Sequence, residues 1–148
     1  MLFKLYPCEW LLAEDFAPHL LIARTAFIEA PWKMVLSNKA ILPILWEMFP
    51  DHPNLLAASF QRSDISGPCV QKSIHGREGD GVRLLAATDA SHAANCVWQA
   101  LCRLPVFDRR FAIIGSWVVG NNAAGIGIRE DPRPITGNSS VFVPHYCS

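Results

Sequence analysis

Residues Val70–Val82 have the sequence V-Q-K-S-I-H-G-R-E-G-D-G-V. Three of them are glycines within six positions, Gly76, Gly79 and Gly81. Glycine adopts positive φ without a steric penalty and lets a backbone lie close to a ligand. Lys72 and Arg77 stand on either side of the first glycine, and amides along such a turn can point together at an anion. The segment therefore fits two interpretations, a phosphate-binding loop or a surface hairpin turn with solvated charges.

The residues around this loop predict a β-hairpin that carries the loop at its tip. Cys69–Lys72 enters the loop as one strand, and Val82–Ala87 leaves it as another. A second hairpin is predicted where the apolar runs Phe111–Val119 and Ala123–Ile128 are separated by Gly120-Asn121-Asn122, a tight-turn signal. With the helix described next, these antiparallel strands predict an α+β fold.

Ala40–Phe49 is the segment with the strongest helical pattern, and its apolar residues are dense enough for a helix buried on most sides. The preceding polar pair Ser37–Asn38 supplies suitable N-caps. Because Pro43 is tolerated only in a first turn, the helix should begin near Lys39 or Ala40 and end before Pro50. Lys39 then lies beside a helix N-terminus that favours anions, or it is an exposed lysine at a helix start.

The first thirty residues have weaker patterns. Met1–Trp10 predicts a strand that ends at Pro7, and Glu9–Leu12 opens a short helix through Phe16. Leu20–Glu29 is apolar and fits either a strand or a helix. An initiator methionine followed at once by an interior-type strand lacks the usual polar lead-in, so we expect the natural folding unit to begin upstream.

The composition fits a single domain with its own core, because 51% of the 148 residues are hydrophobic. Thirteen Lys and Arg balance thirteen Asp and Glu, so no net field favours nucleic acid or anionic lipid, and any anion site must be local. No apolar run approaches the roughly 20 residues that cross a bilayer. The N-terminus does not have the order of a signal peptide, so we expect a cytoplasmic protein without a membrane partner.

The cysteines and histidines give no metal or disulfide pattern. The five cysteines are Cys8, Cys69, Cys96, Cys102 and Cys147. Their odd number and wide spacing predict free thiols, most of them buried as small hydrophobes, with Cys147 exposed. The histidines are isolated from one another and from the cysteines, so no zinc site is predicted. Gly115-Ser116 is not part of a G-x-S-x-G motif, so no serine nucleophile is predicted.

Four blocks of the sequence closely resemble the C-terminal part of the glutathionylspermidine synthase family of ATP-grasp ligases. They are P-W-K-M-V-L-S-N-K-A-I-L-P-I-L-W-E-M-F-P-D-H-P-N-L-L, K-S-I-H-G-R-E-G-D-G-V, I-I-G-S-W-V-V-G-N-N-A-A-G-I-G-I-R-E-D and F-V-P-H-Y, in family order. The resemblance implies a partial ATP-grasp domain, its C-terminal lobe, with the glycine loop as a lid. Residues 1–148 would form one incomplete synthetase domain, in which 1–30 is a remnant of the preceding region and 31–148 the ATP-binding part.

The resemblance also implies roles for single residues. Lys39 and Lys72 match two lysines that hold the ATP phosphates, and Gly79 matches a nucleotide contact in the lid. Arg77 matches the arginine that closes over the reacting phosphate, and Arg129 matches an active-site arginine.

Two further segments match the family's adenine pocket. The backbone of Gln99, Ala100 and Leu101 matches the hinge that reads the base. Pro134, Ile135 and Thr136 match a second wall of the pocket.

The family joins the glycine carboxylate of glutathione to an amine of spermidine through an acyl phosphate. The resemblance therefore implies ATP, Mg²⁺, a glutathione-like acid and a polyamine-like amine. The family's magnesium ligands belong to an upstream segment that is not in this sequence, so no metal ligand is assigned here. Glu130 and Asp131 are expected as solvated charges after the second hairpin rather than as replacement ligands.

Two functions remain open on the sequence alone. The chain is the ATP-binding part of a carboxylate–amine ligase that works with a missing N-terminal lobe, or it is a truncated, non-catalytic remnant that binds nucleotide weakly or not at all.

Overall fold

The computed structural model describes residues 1–146. The helices are α1 (Cys8–Leu11), α2 (Ala17–Leu20), α3 (Lys33–Ser37) and α4 (Ile41–Met48). The strands are β1 (Leu2–Phe3), β2 (Phe27–Ile28), β3 (Ala58–Ser59), β4 (Cys69–Ser73), β5 (Arg83–Leu85), β6 (Cys96–Ala100), β7 (Val106–Phe107), β8 (Arg110–Val119), β9 (Asn122–Asp131) and β10 (Val141–Val143). A short 3₁₀ turn spans Arg62–Asp64. The predicted α+β class with antiparallel sheets is confirmed.

The first four-stranded sheet has the order β3-β6-β4-β5 and is antiparallel throughout. Strands β4 and β5 form the predicted hairpin, with Cys69 opposite Leu85. These two side chains pack with Trp98 and Ile65 into a buried cluster on one face of the sheet. Because side chains alternate between the two faces of a strand, Val70 and Lys72 of β4 lie on the other face. The candidate site is on that face.

The second four-stranded sheet has the order β10-β9-β8-β7 and contains the second predicted hairpin. Val119 pairs with Asn122 across a two-residue turn, in which Gly120 and Asn121 have φ of 54° and 67°. Positive φ at both positions is the signature of the tight turn that matches strand twist. Strand β9 continues to Asp131, so the charged residues predicted to follow the hairpin are part of the strand, which corrects that prediction.

Helix α4 begins and ends where the sequence predicted. Pro43 is its third residue, and the helix ends before Pro50. The Asn38 side-chain oxygen accepts a hydrogen bond from the Ala40 amide at 2.8 Å in the turn that leads into α4. Ala40 itself is the N-cap and has no side-chain cap, and Ser37 ends α3, so the predicted caps are wrong. The predicted burial on most sides is wrong: α4 packs one face against β3 and β6, and Met48 is 62% exposed.

The N-terminal prediction was partly wrong. The strand is limited to β1, which ends at Phe3 instead of Pro7, and α1 ends at Leu11 instead of reaching Phe16. Pro7 is the residue that precedes α1, a position compatible with its fixed φ. Most of residues 20–29 is irregular, apart from β2, which pairs in parallel with β1.

The described cysteines are free, as predicted. The prediction that most are buried is wrong, because only Cys69 among these four is fully buried and Cys102 is exposed. Cys147 lies outside the described residues. Among residues 1–146, none of the helices has the length and apolar character needed to cross a membrane.

Candidate functional site

Lys39 lies in the connection between α3 and α4, where backbone and side chain both bind the glycine loop. Its amide donates to the carbonyl of Ile74 at 3.0 Å, just after β4 ends. Its ammonium donates to the carbonyl of Gly76, the first glycine of the loop. The start of α4 and the start of the glycine loop are thereby joined through one lysine.

Lys72 extends from β4 and is more deeply buried. Its ammonium donates to Gln99 Oε1 at 2.6 Å, and Gln99 is only 9% exposed. Burial lowers the pKa of Lys72, and the charge of Lys39 lowers it further. Burial also lowers the pKa of Lys39, with a further lowering by Arg77 and a partial opposing effect of Asp80. Burial and nearby cations therefore disfavour the charged form of both lysines, and a bound anion would relieve this effect.

The two lysines line one cavity of about 280 Å³ under the glycine loop, which we call the two-lysine cavity. Its lining residues are Lys39, Val70, Lys72, Gly79, Val82, Leu84, Leu101, Cys102, Leu104, Ile113, Pro134, Ile135 and Thr136. Two of these residues are cations, and aliphatic side chains supply most of the rest. Such a lining suits a ligand with both anionic and apolar parts.

Gly79 closes the loop over one side of this cavity by direct backbone packing. Its φ is +85°, and an added Cβ would be 2.8 Å from the Thr136 carbonyl oxygen and 3.1 Å from Ile135 Cγ2. A side chain at this position would therefore be strained and would also collide with a backbone atom. The loop needs glycine here in order to rest on the 134–136 segment.

The structure does not bring Arg77 into the cavity lining. Its guanidinium donates to Glu9 Oε1, with Nη2 at 2.6 Å and Nε at 3.1 Å. Burial of Glu9 acts to raise the pKa of its carboxyl, but the hydrogen bond and charge of Arg77 outweigh it, and the pKa of Glu9 is lowered. The glycine loop is thus tied to α1 in the first thirty residues.

Arg129 is near the cavity without lining it. It stands opposite Ile113 in the β8–β9 ladder, so both side chains leave the same face of the sheet, and Ile113 lines the cavity. Its Nη2 donates to the Gly137 carbonyl at 2.9 Å, and its guanidinium carbon is 5.5 Å from the Phe142 ring centroid. In this arrangement Arg129 supports the chain beyond β9.

The predicted hinge is at the edge of the cavity, but two of its amides already have partners. The Ala100 amide donates to the Ala57 carbonyl at 2.8 Å, and the Leu101 amide donates to the Pro68 carbonyl at 3.1 Å. Leu101 lines the cavity, whereas Ala100 and Gln99 do not. A base bound here would have to meet other polar groups of this segment.

Asp131 is not a solvated charge, and this corrects the sequence-based expectation. Its side chain is 2% exposed, and its oxygens accept hydrogen bonds from Arg133 and Ser140. Glu130 is 3.5 Å from Arg110 at the sheet surface. Among the residues that the structure describes, no three His, Cys, Asp or Glu side chains form a cluster able to hold a metal ion. The acidic residues that the structure describes therefore do not fit a magnesium site.

Sequence reasoning missed several aliphatic lining residues and Cys102. Val70 and Leu84 were missed although they pair directly with each other and lie on the hairpin face of Lys72, which was predicted. The alternation of the predicted strands could have found them. No local sequence pattern predicts where Leu104 and Ile113 lie relative to the hairpin.

The fold and the cavity define an α+β protein with a cationic cleft beneath a glycine-rich hairpin loop. A family model described as "Glutathionylspermidine synthase preATP-grasp" matches residues 1–148. The chain belongs to this glutathionylspermidine synthase family, which confirms the resemblance seen in the sequence.

Three relatives show how much of the family's length is present. A Haemophilus influenzae protein that carries the provisional name acid–amine ligase is 46% identical over 163 residues, covering 99% of this chain and 41% of the relative. The trypanothione synthetase of Crithidia fasciculata is 35% identical over 149 residues, covering 94% of this chain and 22% of the relative. The bifunctional glutathionylspermidine synthetase/amidase of Escherichia coli K12 is 30% identical over 135 residues, covering 84% of this chain and 22% of the relative. The chain thus spans less than half the length of these curated relatives.

Proposed function

We propose that this chain is the ATP-binding part of a glutathionylspermidine synthase-like, ATP-dependent carboxylate–amine ligase. The observation that carries the proposal is the meeting of Lys39 and Lys72 in one cavity beneath the loop that contains Gly79. Two mutually repelling ammonium groups at a partly apolar cavity favour a ligand with several negative charges and a flat apolar group.

In this proposal the lysines hold the triphosphate of ATP, and the loop around Gly79 is the lid. Leu101 and the 134–136 segment form the two sides of the adenine pocket, with aliphatic residues such as Val70 between them. Because the amides of Ala100 and Leu101 already have partners, the base would be held by apolar contact and by carbonyls of the hinge. The nucleotide-binding part is then a partial ATP-grasp domain, its C-terminal lobe.

The proposed reaction has two steps. In the first step the terminal phosphoryl group of ATP is transferred to a carboxylate oxygen, which breaks the P–O bond to ADP and forms an acyl phosphate. In the second step an amine attacks the acyl carbon, the C–O bond to phosphate breaks, and the amide forms as inorganic phosphate and the proton of the amine leave. Charge gathers on the transferred phosphoryl group, so cations at this point lower the barrier. Arg77 and Arg129 are the proposed catalytic cations, and Arg77 would first leave Glu9.

The substrates and the metal are proposed from the relatives' names and from the family resemblance. The acid would be glutathione-like and the amine polyamine-like, in keeping with a relative named glutathionylspermidine synthetase/amidase. By the family resemblance, the ligands for Mg²⁺ would come from a preceding N-terminal lobe. Residues 1–30 would then be a remnant of the region next to that lobe, and 31–148 the ATP-binding part.

A second candidate function is a truncated, non-catalytic remnant that binds nucleotide weakly or not at all. Internal contacts favour this alternative, because the cations that should meet phosphate are already engaged. Lys72 donates to Gln99, Lys39 donates to the Gly76 carbonyl, and Arg77 is paired with Glu9. A nucleotide would have to displace each of these bonds, which reduces its affinity.

Calorimetric titration with ATP and magnesium separates the two candidates. We expect wild type to bind ATP, and Lys39→Ala and Lys72→Ala each to weaken binding by about tenfold or more, because charge-assisted contacts are lost. Lys33→Ala is the matched control, since Lys33 is paired with Glu29 outside the cavity and should bind as wild type does. Equally weak binding of ATP by all four proteins would instead support the non-catalytic remnant.

A further inference from the structure

Asp131 is the centre of a hydrogen-bond network at the end of β9. Its Oδ1 accepts from the Arg133 amide at 2.9 Å and from Arg133 Nε at 3.1 Å. Its Oδ2 accepts from the Ser140 hydroxyl. The hydrogen bonds of Arg133 and Ser140 hold the pKa of Asp131 well below its usual range, so the carboxylate stays charged at ordinary pH.

Further hydrogen bonds hold the chain between Arg133 and Ser140, the two partners of Asp131, as a fixed loop. The Gly137 amide donates to Ser140 Oγ at 2.9 Å, and the Ser140 amide donates back to the Gly137 carbonyl at 3.1 Å. Arg133 Nη2 also donates to Ser139 Oγ at 2.8 Å. The network therefore fixes residues 133 and 137, which are the two ends of the 134–136 segment.

That short segment contacts both parts of the candidate site. Pro134, Ile135 and Thr136 line the two-lysine cavity, and the Thr136 carbonyl is where the Gly79 backbone rests. The segment has no strand or helix of its own. Its position is thus set by bonds at its two ends: Arg133 binds the Asp131 carboxylate directly, whereas Gly137 is held by Ser140, which also binds that carboxylate, and by Arg129.

We infer that Asp131 is a positioning residue for the nucleotide, because its carboxylate sets the wall that the base packs against and on which the glycine loop rests. The inference rests on the proposed ATP-binding function and extends it to a residue that does not touch the cavity. An uncharged amide replaces the carboxylate poorly: the Ser140 hydroxyl could turn to accept from the amide nitrogen, but Arg133 would lose its charged partner and one of the two oxygens that it contacts.

The test compares the binding of ATP with the binding of inorganic tripolyphosphate, which lacks the base. In Asp131→Asn the dissociation constant for ATP should rise about tenfold, because bonds to a buried charged group are lost and the wall is released. Tripolyphosphate should bind as in wild type, because Lys39 and Lys72 lie outside the Asp131 network, in the α3–α4 connection and in β4. A general loss of folding would weaken both ligands together.

Glu130→Gln is the matched control, since it neutralises the adjacent carboxylate of the same strand and should leave both affinities unchanged. Ser140→Ala removes one donor of the network and should weaken ATP in the same direction by a smaller factor. Equal ATP binding by wild type and Asp131→Asn, or parallel losses of ATP and tripolyphosphate, would overturn the positioning role. Failure of wild type to bind either ligand would instead overturn the proposed function, and the role of Asp131 with it.

Discussion

Replacing Gly79 by alanine tests whether the glycine loop rests on the 134–136 segment. Gly67 offers an internal comparison, because its φ of +76° is close to the +85° of Gly79. An added Cβ at Gly67 would meet nothing within 4 Å, whereas at Gly79 it would be 2.8 Å from the Thr136 carbonyl oxygen. The two substitutions share the backbone strain and differ in the contacts that the added Cβ would make with the 134–136 segment.

The expected losses follow from these two terms. Gly67→Ala should lower the free energy of unfolding by about 1 kcal/mol, the cost of left-handed φ for a residue with a Cβ. Gly79→Ala adds the overpacking against a carbonyl that is part of the main chain, which costs about 1–3 kcal/mol more. If the loop instead moves away from Thr136 to relieve the contact, the free energy of unfolding falls by the amount that this packing had contributed.

Urea titrations of wild type, Gly67→Ala and Gly79→Ala measure these values directly. Hydrogen exchange of the amides in residues 76–82 and 135–137 distinguishes a lifted loop from a general loss of stability, since only a lifted loop accelerates exchange locally. Equal losses in the two variants, with unchanged exchange near Thr136, would show that Gly79 does not pack on this segment.

Three further predictions follow from the contacts of charged side chains. Because burial lowers the pKa of Lys72 in the folded protein, the unfolded chain binds more protons just below the ordinary lysine value of about 10.4, and the free energy of unfolding should rise with pH there. Lys72→Met should flatten that rise in urea titrations at pH 8 to 11, and an unchanged slope would contradict the burial of the ammonium. Glu9→Gln should strengthen ATP binding by up to about fivefold, since it frees Arg77 from a partly exposed ion pair. The gain should vanish in the Arg77→Met background, and a gain that persists there would show that Glu9 acts without Arg77. Arg62→Lys should lower the free energy of unfolding by about 2–3 kcal/mol, because Arg62 donates to four backbone carbonyls that a single ammonium cannot reach together. A loss of a few tenths of a kcal/mol in urea titrations would show that these bonds contribute little.

Local features of the chain were predictable because they depend on neighbouring residues. The hairpin around the glycine loop, the two-residue turn at Gly120–Asn121 and the limits that Pro43 and Pro50 set on α4 all follow from φ preferences and side-chain alternation. The roles of Lys39 and Lys72 came from the family resemblance and remain proposals, although both side chains line one cavity.

Other features had no local signal. The length of the N-terminal strand was overestimated, because the apolar run before Pro7 has too few pairing partners to stay extended beyond β1. The burial of α4 was overestimated because apolar density predicts a helix but not how many of its faces are covered. Glu130 and Asp131 looked alike in sequence, yet one lies at the sheet surface and the other is buried under its own loop.

The sequence by itself determined the class of fold, the family and the backbone freedom of the glycine loop, since these depend on composition, residue order and near neighbours. Only the tertiary structure decided that Arg77 binds Glu9, 68 residues away, and that Gly79 rests on Thr136. The same is true of the burial of Asp131. Such contacts join segments that are distant along the chain, and whether they form depends on how whole sheets and loops pack.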